Sequence, residues 1–245
     1  MPESHLPGGF VSGVVRVGDT VRRSPSARPE FVSALLRWFE AAGWDGAPRY
    51  LGTDDEGREV LGYLDGHVAW EPRQPAAVSS DESLAAVARL VRAFHDLTAG
   101  TALAGGEEVV CHNDLSPKNT VYRPVDGELR PVAFIDWDLA APGARIHDVA
   151  HVCWQYLGLG PSVTDVAAAA RRVRLIADSY GLTDRRQLVS TVLWWQDRCR
   201  RGIRSGAAAG DPAMRRLRDA GVVTGVRRAH QWVLEHRAVF EDALR

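Results

Sequence analysis

Five ionisable or amide side chains crowd the segment VVCHNDLSPKNTVYRPVDGELRPVAFIDWDLA, which runs from Val109 to Ala140. His112, Asp114, Asn119, Asp136 and Asp138 all fall near the ends of its apolar runs. Between NTVYR and PVAFID lies Asp126-Gly127, a strong hairpin dipeptide. A turn centred there sets Asn119 opposite Phe134 and Asp136 opposite Pro117, so an amide oxygen and a carboxylate meet at the open end of the hairpin. Asp114 sits on the loop leading in. Oxygen donors that converge in this way suit a hard cation such as Mg2+, which keeps several waters and takes one or two protein carboxylates. A second acid beside such a cation can accept the proton of an incoming hydroxyl. The polar groups therefore outline a site rather than a core.

The elements that position these groups follow from periodicity. Val14–Val17 and Thr20–Arg23 flank a Gly18-Asp19 turn and predict a hairpin. In RPEFVSALLRWFEAAG, the residues Val32, Leu35, Leu36 and Phe39 recur at i, i+3, i+4 and i+7, the pattern of a helix with one buried face that Gly43 ends. APRYLG and REVLGYLDG, on either side of DDEG, supply two further strands. After a proline-containing link, Glu71 to Pro75, the pattern becomes mostly helical. SSDESLAAVARLVRAFHDLTAG opens with Ser, Asp and Glu beside the positive end of the helix dipole. Beyond the hairpin, helices are predicted at roughly Ile146–Leu157, Thr164–Tyr180, Asp184–Arg201 and Val222–Leu244, with a Gly/Ala-rich loop between Gly202 and Ala213. Strands first and helices later describe an α+β chain in two lobes, with a small antiparallel first lobe.

Composition narrows the setting. The chain has 245 residues, 45% of them apolar and 25% charged, with a net charge of -1, so no one-signed field advertises a nucleic-acid or membrane partner. No run of 18 apolar residues is present, and MPESHLPGGF lacks the layout of a secretory signal. Cys111, Cys153 and Cys199 lie far apart with no CxxC, which fits reduced thiols and a cytoplasmic protein. Of the 30 basic residues Lys118 alone is a lysine.

His112-x-Asp114, followed by Asn119 in the form H-x-D-L-x-P-x-N, resembles the catalytic loop of the protein-kinase-like superfamily, and FIDWD resembles its metal-binding segment. The form is closer to aminoglycoside phosphotransferases and choline-kinase-like small-molecule kinases than to protein kinases. It is also similar to bacterial phosphotransferases described as trifolitoxin-immunity-like. The resemblance implies a two-lobed kinase-like fold, with a nucleotide-binding lobe over residues 1–66 and a helical lobe over 67–245 carrying the catalytic loop and the acceptor site. It implies Asp114 as catalytic base, Asn119 and Asp136 as catalytic residues that hold Mg2+ against the phosphates of a nucleoside triphosphate, and His112 as the prop of the loop. Asp148 is implied as a brace from the following helix, and the stretch Tyr63 to Gly66, with Tyr63 and Leu64, as the hinge that meets the nucleobase. The family's phosphate-clamp lysine has no counterpart before residue 118. In TVRR, Val21 and Arg23 share one strand face, so Val21 can line the base pocket while Arg23 reaches the phosphates. Glu30 is the favoured carboxylate partner for that clamp.

Other features admit two readings. Asp138 offers a second metal contact or braces the loop. Lys118 is an exposed loop lysine or a phosphate contact, and Ser116 stands where a phosphate-touching lysine is common in protein kinases. His147 and His151 at i, i+4 in HDVAH match zinc-ligand spacing, with His112 as the one available third ligand. His95 reads as packed or capping, Trp194 and Trp195 as core or as the border of an acceptor pocket. Gly8, Gly9 and Gly13 make a turn or a phosphate cradle. From residue 141 onward 17 arginines face 10 acids, a net +7 that disfavours a polycationic acceptor unless Asp165, Asp178, Asp197 and Glu235 cluster. The function expected is phosphoryl transfer to a hydroxyl of a small molecule, an antibiotic or a metabolite. The alternative is a non-catalytic immunity or resistance protein that binds a toxin or antibiotic.

Overall fold

The computed structural model describes residues 3–6, 14–71 and 73–245, so Gly8, Gly9 and Gly13 lie outside the described residues. Two compact units make up the chain, Met1–Arg145 and Ile146–Arg245, and the expected boundary after Gly66 lies inside the first. Chain order begins with strands β1 (Ser4–His5), β2 (Val15–Val17) and β3 (Thr20–Arg23), helix α1 (Pro29–Ala41), then β4 (Tyr50–Thr53), β5 (Glu59–Gly62) and β6 (His67–Val68). Helix α2 (Asp81–Thr98), β7 (Val109–Cys111), β8 (Thr120–Val125), β9 (Glu128–Phe134) and β10 (Ala141–Gly143) follow. The remaining helices are α3 (Arg145–Leu157), α4 (Val166–Tyr180), α5 (Leu188–Ala208), α6 (Pro212–Asp219), α7 (Val222–Glu235) and α8 (Arg237–Ala243). Among the described residues no helix is long and apolar enough to cross a membrane.

The first unit holds an antiparallel five-stranded sheet in the order β1-β2-β3-β5-β4, with smaller pairings β6-β8-β9 and β10-β7. α1 forms as its spacing predicts. Pro29 sits in the first turn, Val32, Leu35, Leu36 and Phe39 are buried, and Gly43 at φ +69° lets the chain leave the helix. The Ser80 side chain accepts the Ser83 amide at 3.1 Å and caps α2. Aromatic rings fill the space beneath these helices. Phe39 and Phe94 each lie 5.1 Å from Trp137, Trp44 lies 4.7 Å from Phe39, and Trp137 is 1% exposed.

Gly66 shows how tightly the segment after β5 is packed. It holds φ +147°, and a Cβ there would stand 2.6 Å from Val121 Cγ1 and 2.7 Å from the Tyr122 carbonyl. Since the carbonyl is backbone, Gly66→Ala forces the strand to move, and a loss of about 1–3 kcal/mol is expected, read as a fall in the urea midpoint. A midpoint equal to that of the parent chain would contradict the close approach.

In the second unit the first two predicted helices appear within two residues of their expected ends. The expected loop from Gly202 to Ala213 is instead helical for most of its length, as α5 runs to Ala208 and α6 starts at Pro212. Gly206 accounts for this: a Cβ there would meet Met214 Cγ at 2.6 Å, so the glycine permits close α5–α6 packing, while Ile203 and Ala207 are buried. The predicted Val222–Leu244 helix is divided at His236 into α7 and α8.

Candidate functional site

Asp126 and Gly127 hold φ of +52° and +82°, the double positive-φ turn that suits a right-twisted hairpin. From Val125↔Glu128 to Tyr122↔Pro131 the register of β8 and β9 follows the expected one. It then slips, and Thr120 rather than Asn119 faces Phe134. Val132 is the extra residue of β9 at this point, opposed by none on β8, so the strand bulges there. The slip advances Asp136 by one position against Asn119, and the Ile135 amide donates to the Asn119 carbonyl at 2.9 Å.

Two loops meet at this end of the hairpin. Asn119 is 2% exposed, and its Nδ2 donates at 2.8 Å both to the Asp114 carbonyl and to Asp114 Oδ2. Both amide hydrogens are thereby committed, which leaves Oδ1 as the donor atom Asn119 can offer. His112 is fully buried. Its Nδ1 accepts the Asp114 amide at 3.2 Å, so Nε2 carries the proton and donates to the Ile135 carbonyl at 3.1 Å. One neutral imidazole thus ties the loop of Asp114 to the peptide before Asp136, the propping role the resemblance implies.

Asp136 lies in the left-handed region at φ +66°, as does Asn113 at φ +65°. Asp and Asn are the L-residues that tolerate this conformation best, and such strain collects at functional turns. Trp137, between Asp136 and Asp138, is the anchor that makes the turn possible. Its indole donates to the Phe134 carbonyl at 2.9 Å, and its ring lies 4.5 Å from that of His112. Asn113 Nδ2 reaches the Leu139 carbonyl at 2.9 Å and closes the loop from the other side.

Arg23 reaches this turn from the sheet. Val21 and Arg23 alternate onto one face of β3, opposite Leu61 and Glu59 of β5. The Arg23 Nε donates to Glu59 Oε2 at 3.0 Å, NH1 lies 3.3 Å from Asp136 Oδ1, and NH2 lies 2.5 Å from Asp138 Oδ1. Its carboxylate partner is therefore Glu59; Glu30 is exposed in the first turn of α1. Burial pushes the Asp138 carboxyl up to about 6; the Arg23 charge opposes that rise, and the Asp136 and Glu59 charges add to it.

Asn119 Oδ1 and the half-exposed Asp136 carboxylate are hard oxygens of the kind that could hold Mg2+; the Ile135 amide ties Asn119 to the residue before Asp136, and Asp138 stands two residues further on. Lys118 is exposed on the turn Pro117–Asn119, and Ser116 is buried beneath it. At the expected hinge, the Tyr63 amide donates to the Asp19 carbonyl at 2.9 Å, and the Arg16 guanidinium lies 3.6 Å over the Tyr63 ring. The Leu64 amide has no backbone partner among the described residues. Tyr63 and Leu64 also line a cavity of about 320 Å³ with Phe39, Trp44 and Arg49. None of Asp114, Asn119, Asp136 or Arg23 borders it.

In the second unit HDVAH packs among tryptophans. His147 stacks on Trp194 at 5.1 Å and 18°, while His151 lies edge-on to Trp195 at 4.8 Å. Trp195 is buried and its indole donates to the His147 carbonyl at 2.7 Å, whereas Trp194 is 39% exposed. The acids that would have to cluster for a polycation are engaged locally. Asp165 caps α4, Asp178 pairs with Arg174 and Arg185, Asp197 with Arg200 and Arg201, and Glu235 accepts from Gln231.

Sequence reasoning missed Glu59 and Asn113. A signal for Asn113 existed, since asparagine after a buried strand is a common left-handed residue. Glu59 carried none, because the β3–β5 pairing is a long-range event.

Known proteins share both the sequence and the fold. Along 98% of this chain, the trifolitoxin immunity protein of Rhizobium leguminosarum bv. trifolii is 29% identical, and the match covers 97% of that protein. A choline/ethanolamine kinase family protein from Mesorhizobium loti superposes with a TM-score of 0.60 at 15% identity, covering 95% of this chain and 92% of the other. An aminoglycoside phosphotransferase from Streptomyces rimosus, solved with ADP and streptomycin, gives a TM-score of 0.57 at 14% identity over 78% of this chain and 90% of its own. These matches bear out the resemblance carried by His112 to Asp138 and the α+β kinase-like fold. The segment that holds Asp114, Asn119 and Asp136 falls within residues 99–188, which match the phosphotransferase enzyme family.

Proposed function

We propose that this chain moves the γ-phosphoryl group of a nucleoside triphosphate to a hydroxyl of a small molecule, with Mg2+ as cofactor. The observation that carries the reading is the Asp114–Asn119 contact at 2.8 Å, which joins the expected base to an expected metal ligand. Asp114 Oδ2 is held by Asn119, so Oδ1 is the atom that orients the acceptor hydroxyl and takes its proton. Asn119 Oδ1 and Asp136 hold the cation. Mg2+, when bound there, would neutralise charge on the phosphate oxygens. Arg23 offers NH1 and NH2 to the phosphates, and the Leu64 amide offers a hinge donor to the base. The pairing of Asp178 and Asp197 with arginines favours an antibiotic or metabolite that is not strongly cationic. The chain works in the cytoplasm in this reading.

A second reading, an immunity or resistance protein that binds without catalysis, draws on the similarity to the trifolitoxin immunity protein and on Arg23 standing where the family has lysine. A thermal-shift titration separates the two. The phosphotransferase reading expects ATP or GTP with Mg2+ at millimolar concentration to raise the melting temperature, by several degrees for a ligand at 100 times its Kd. No shift with either nucleotide favours the binding protein. A mass-spectrometric screen of antibiotics and hydroxylated metabolites for an added phosphoryl group then identifies the acceptor.

A further inference from the structure

One guanidinium faces three carboxylates in the first unit, and the three contacts are not equivalent. The Arg23–Glu59 pair is closed off from water, with side chains 7% and 2% exposed, and the two residues are direct cross-strand partners in β3 and β5. That half of the contact is fixed by the sheet ladder. Asp136 is more open, at 50% exposure, so the NH1 contact is the one that solvent and ligands can exchange, whereas the Asp138 Oδ1 that faces NH2 is buried. Asp136 is also the carboxylate offered to the cation, and NH1 lies 3.3 Å from its Oδ1.

We propose that Arg23 is a resident counter-cation on the metal-binding carboxylates: in the ligand-free protein it occupies Asp136 and Asp138 and keeps divalent metal off them. This rests on the reading of Asn119 and Asp136 as metal ligands. A cation arriving alone meets a fixed positive charge and an engaged carboxylate. A polyphosphate is a better bidentate partner for a guanidinium than two separate carboxylates. It draws NH1 and NH2 away while Nε stays on Glu59, which frees Asp136 for the metal that arrives with it. Metal therefore binds with the nucleotide rather than before it. The family's point-charge lysine could not make this three-way contact, since the spread of donors is a property of the guanidinium plane.

The test is Mn2+ binding, followed by the loss of the free-ion electron paramagnetic resonance signal, to the full chain without nucleotide. Arg23→Lys is the decisive variant, because it keeps the charge but cannot span Glu59 and Asp136 together. It is expected to bind Mn2+ about tenfold more tightly than the parent, the worth of one released charge-assisted contact. Adding Asp136→Asn to that variant is expected to remove the gain. Equal affinity in Arg23→Lys and the parent overturns the proposal. It does so even where Arg23→Gln binds more tightly, since that pattern is through-space charge alone. Because no nucleotide enters the comparison, absence of a nucleotide-induced thermal shift would count against the phosphotransferase reading and leave this assignment standing.

Discussion

Asp114→Asn is expected to lower phosphoryl transfer to the acceptor by about 10²–10⁴-fold while the protein stays folded. The substitution keeps the shape of the side chain, and an asparagine Oδ1 can still accept the Asn119 Nδ2 hydrogen that Asp114 Oδ2 accepts at 2.8 Å. The His112 prop is untouched, because His112 bonds to the backbone amide of residue 114 and not to its side chain. What is lost is the proton acceptor. Product formation read by mass spectrometry should collapse, while the far-ultraviolet circular dichroism and the nucleotide-induced thermal shift survive. Activity within tenfold of the parent would remove Asp114 from the base role. A joint loss of activity and of the thermal shift would recast it as a structural residue of the loop.

Asp136→Asn has the second large effect, on the cation rather than on the proton. Asparagine tolerates the left-handed backbone at φ +66° nearly as well as aspartate, so this change isolates charge from strain in a way that alanine does not. In the phosphotransferase reading the cation loses a half-exposed carboxylate ligand, and Arg23 faces two carboxylates instead of three while it keeps Glu59. The Mg2+-dependent part of the nucleotide shift is expected to vanish. For a ligand at 100 times its Kd, that part corresponds to about 2.7 kcal/mol of stabilisation. A full shift that persists in Asp136→Asn and still requires Mg2+ would place the metal elsewhere.

The position of Glu59 bears on control of such a site. A clamp carboxylate carried by a helix can be withdrawn when the helix moves. Here the pair Arg23–Glu59 lies between adjacent strands in register and is held by the sheet, and α1 packs through Val32, Leu35, Leu36 and Phe39. The exposed end of the contact is Asp136.

Local physics made much of this protein readable in its residues. The face of α1 came from a period of 3.6, the β8–β9 turn from Asp126-Gly127, the α2 cap from Ser80, and the grouping of Asp114, Asn119 and Asp136 from their place at strand ends. Each depends on neighbours within a few positions. Tertiary structure decided the rest. The slip after Pro131 changed which residue faces Phe134, because a bulge takes shape only against its partner strand. Gly202 and Gly206 read as a loop yet lie within α5; at Gly206, packing against Met214 outweighs the intrinsic helix cost of glycine, about 1 kcal/mol per residue. Glu59, 36 residues from Arg23, became its partner through strand pairing that no local pattern encodes. Short-range periodicity thus determined the elements and the candidate polar groups at their ends, while long-range pairing and packing determined which charges meet.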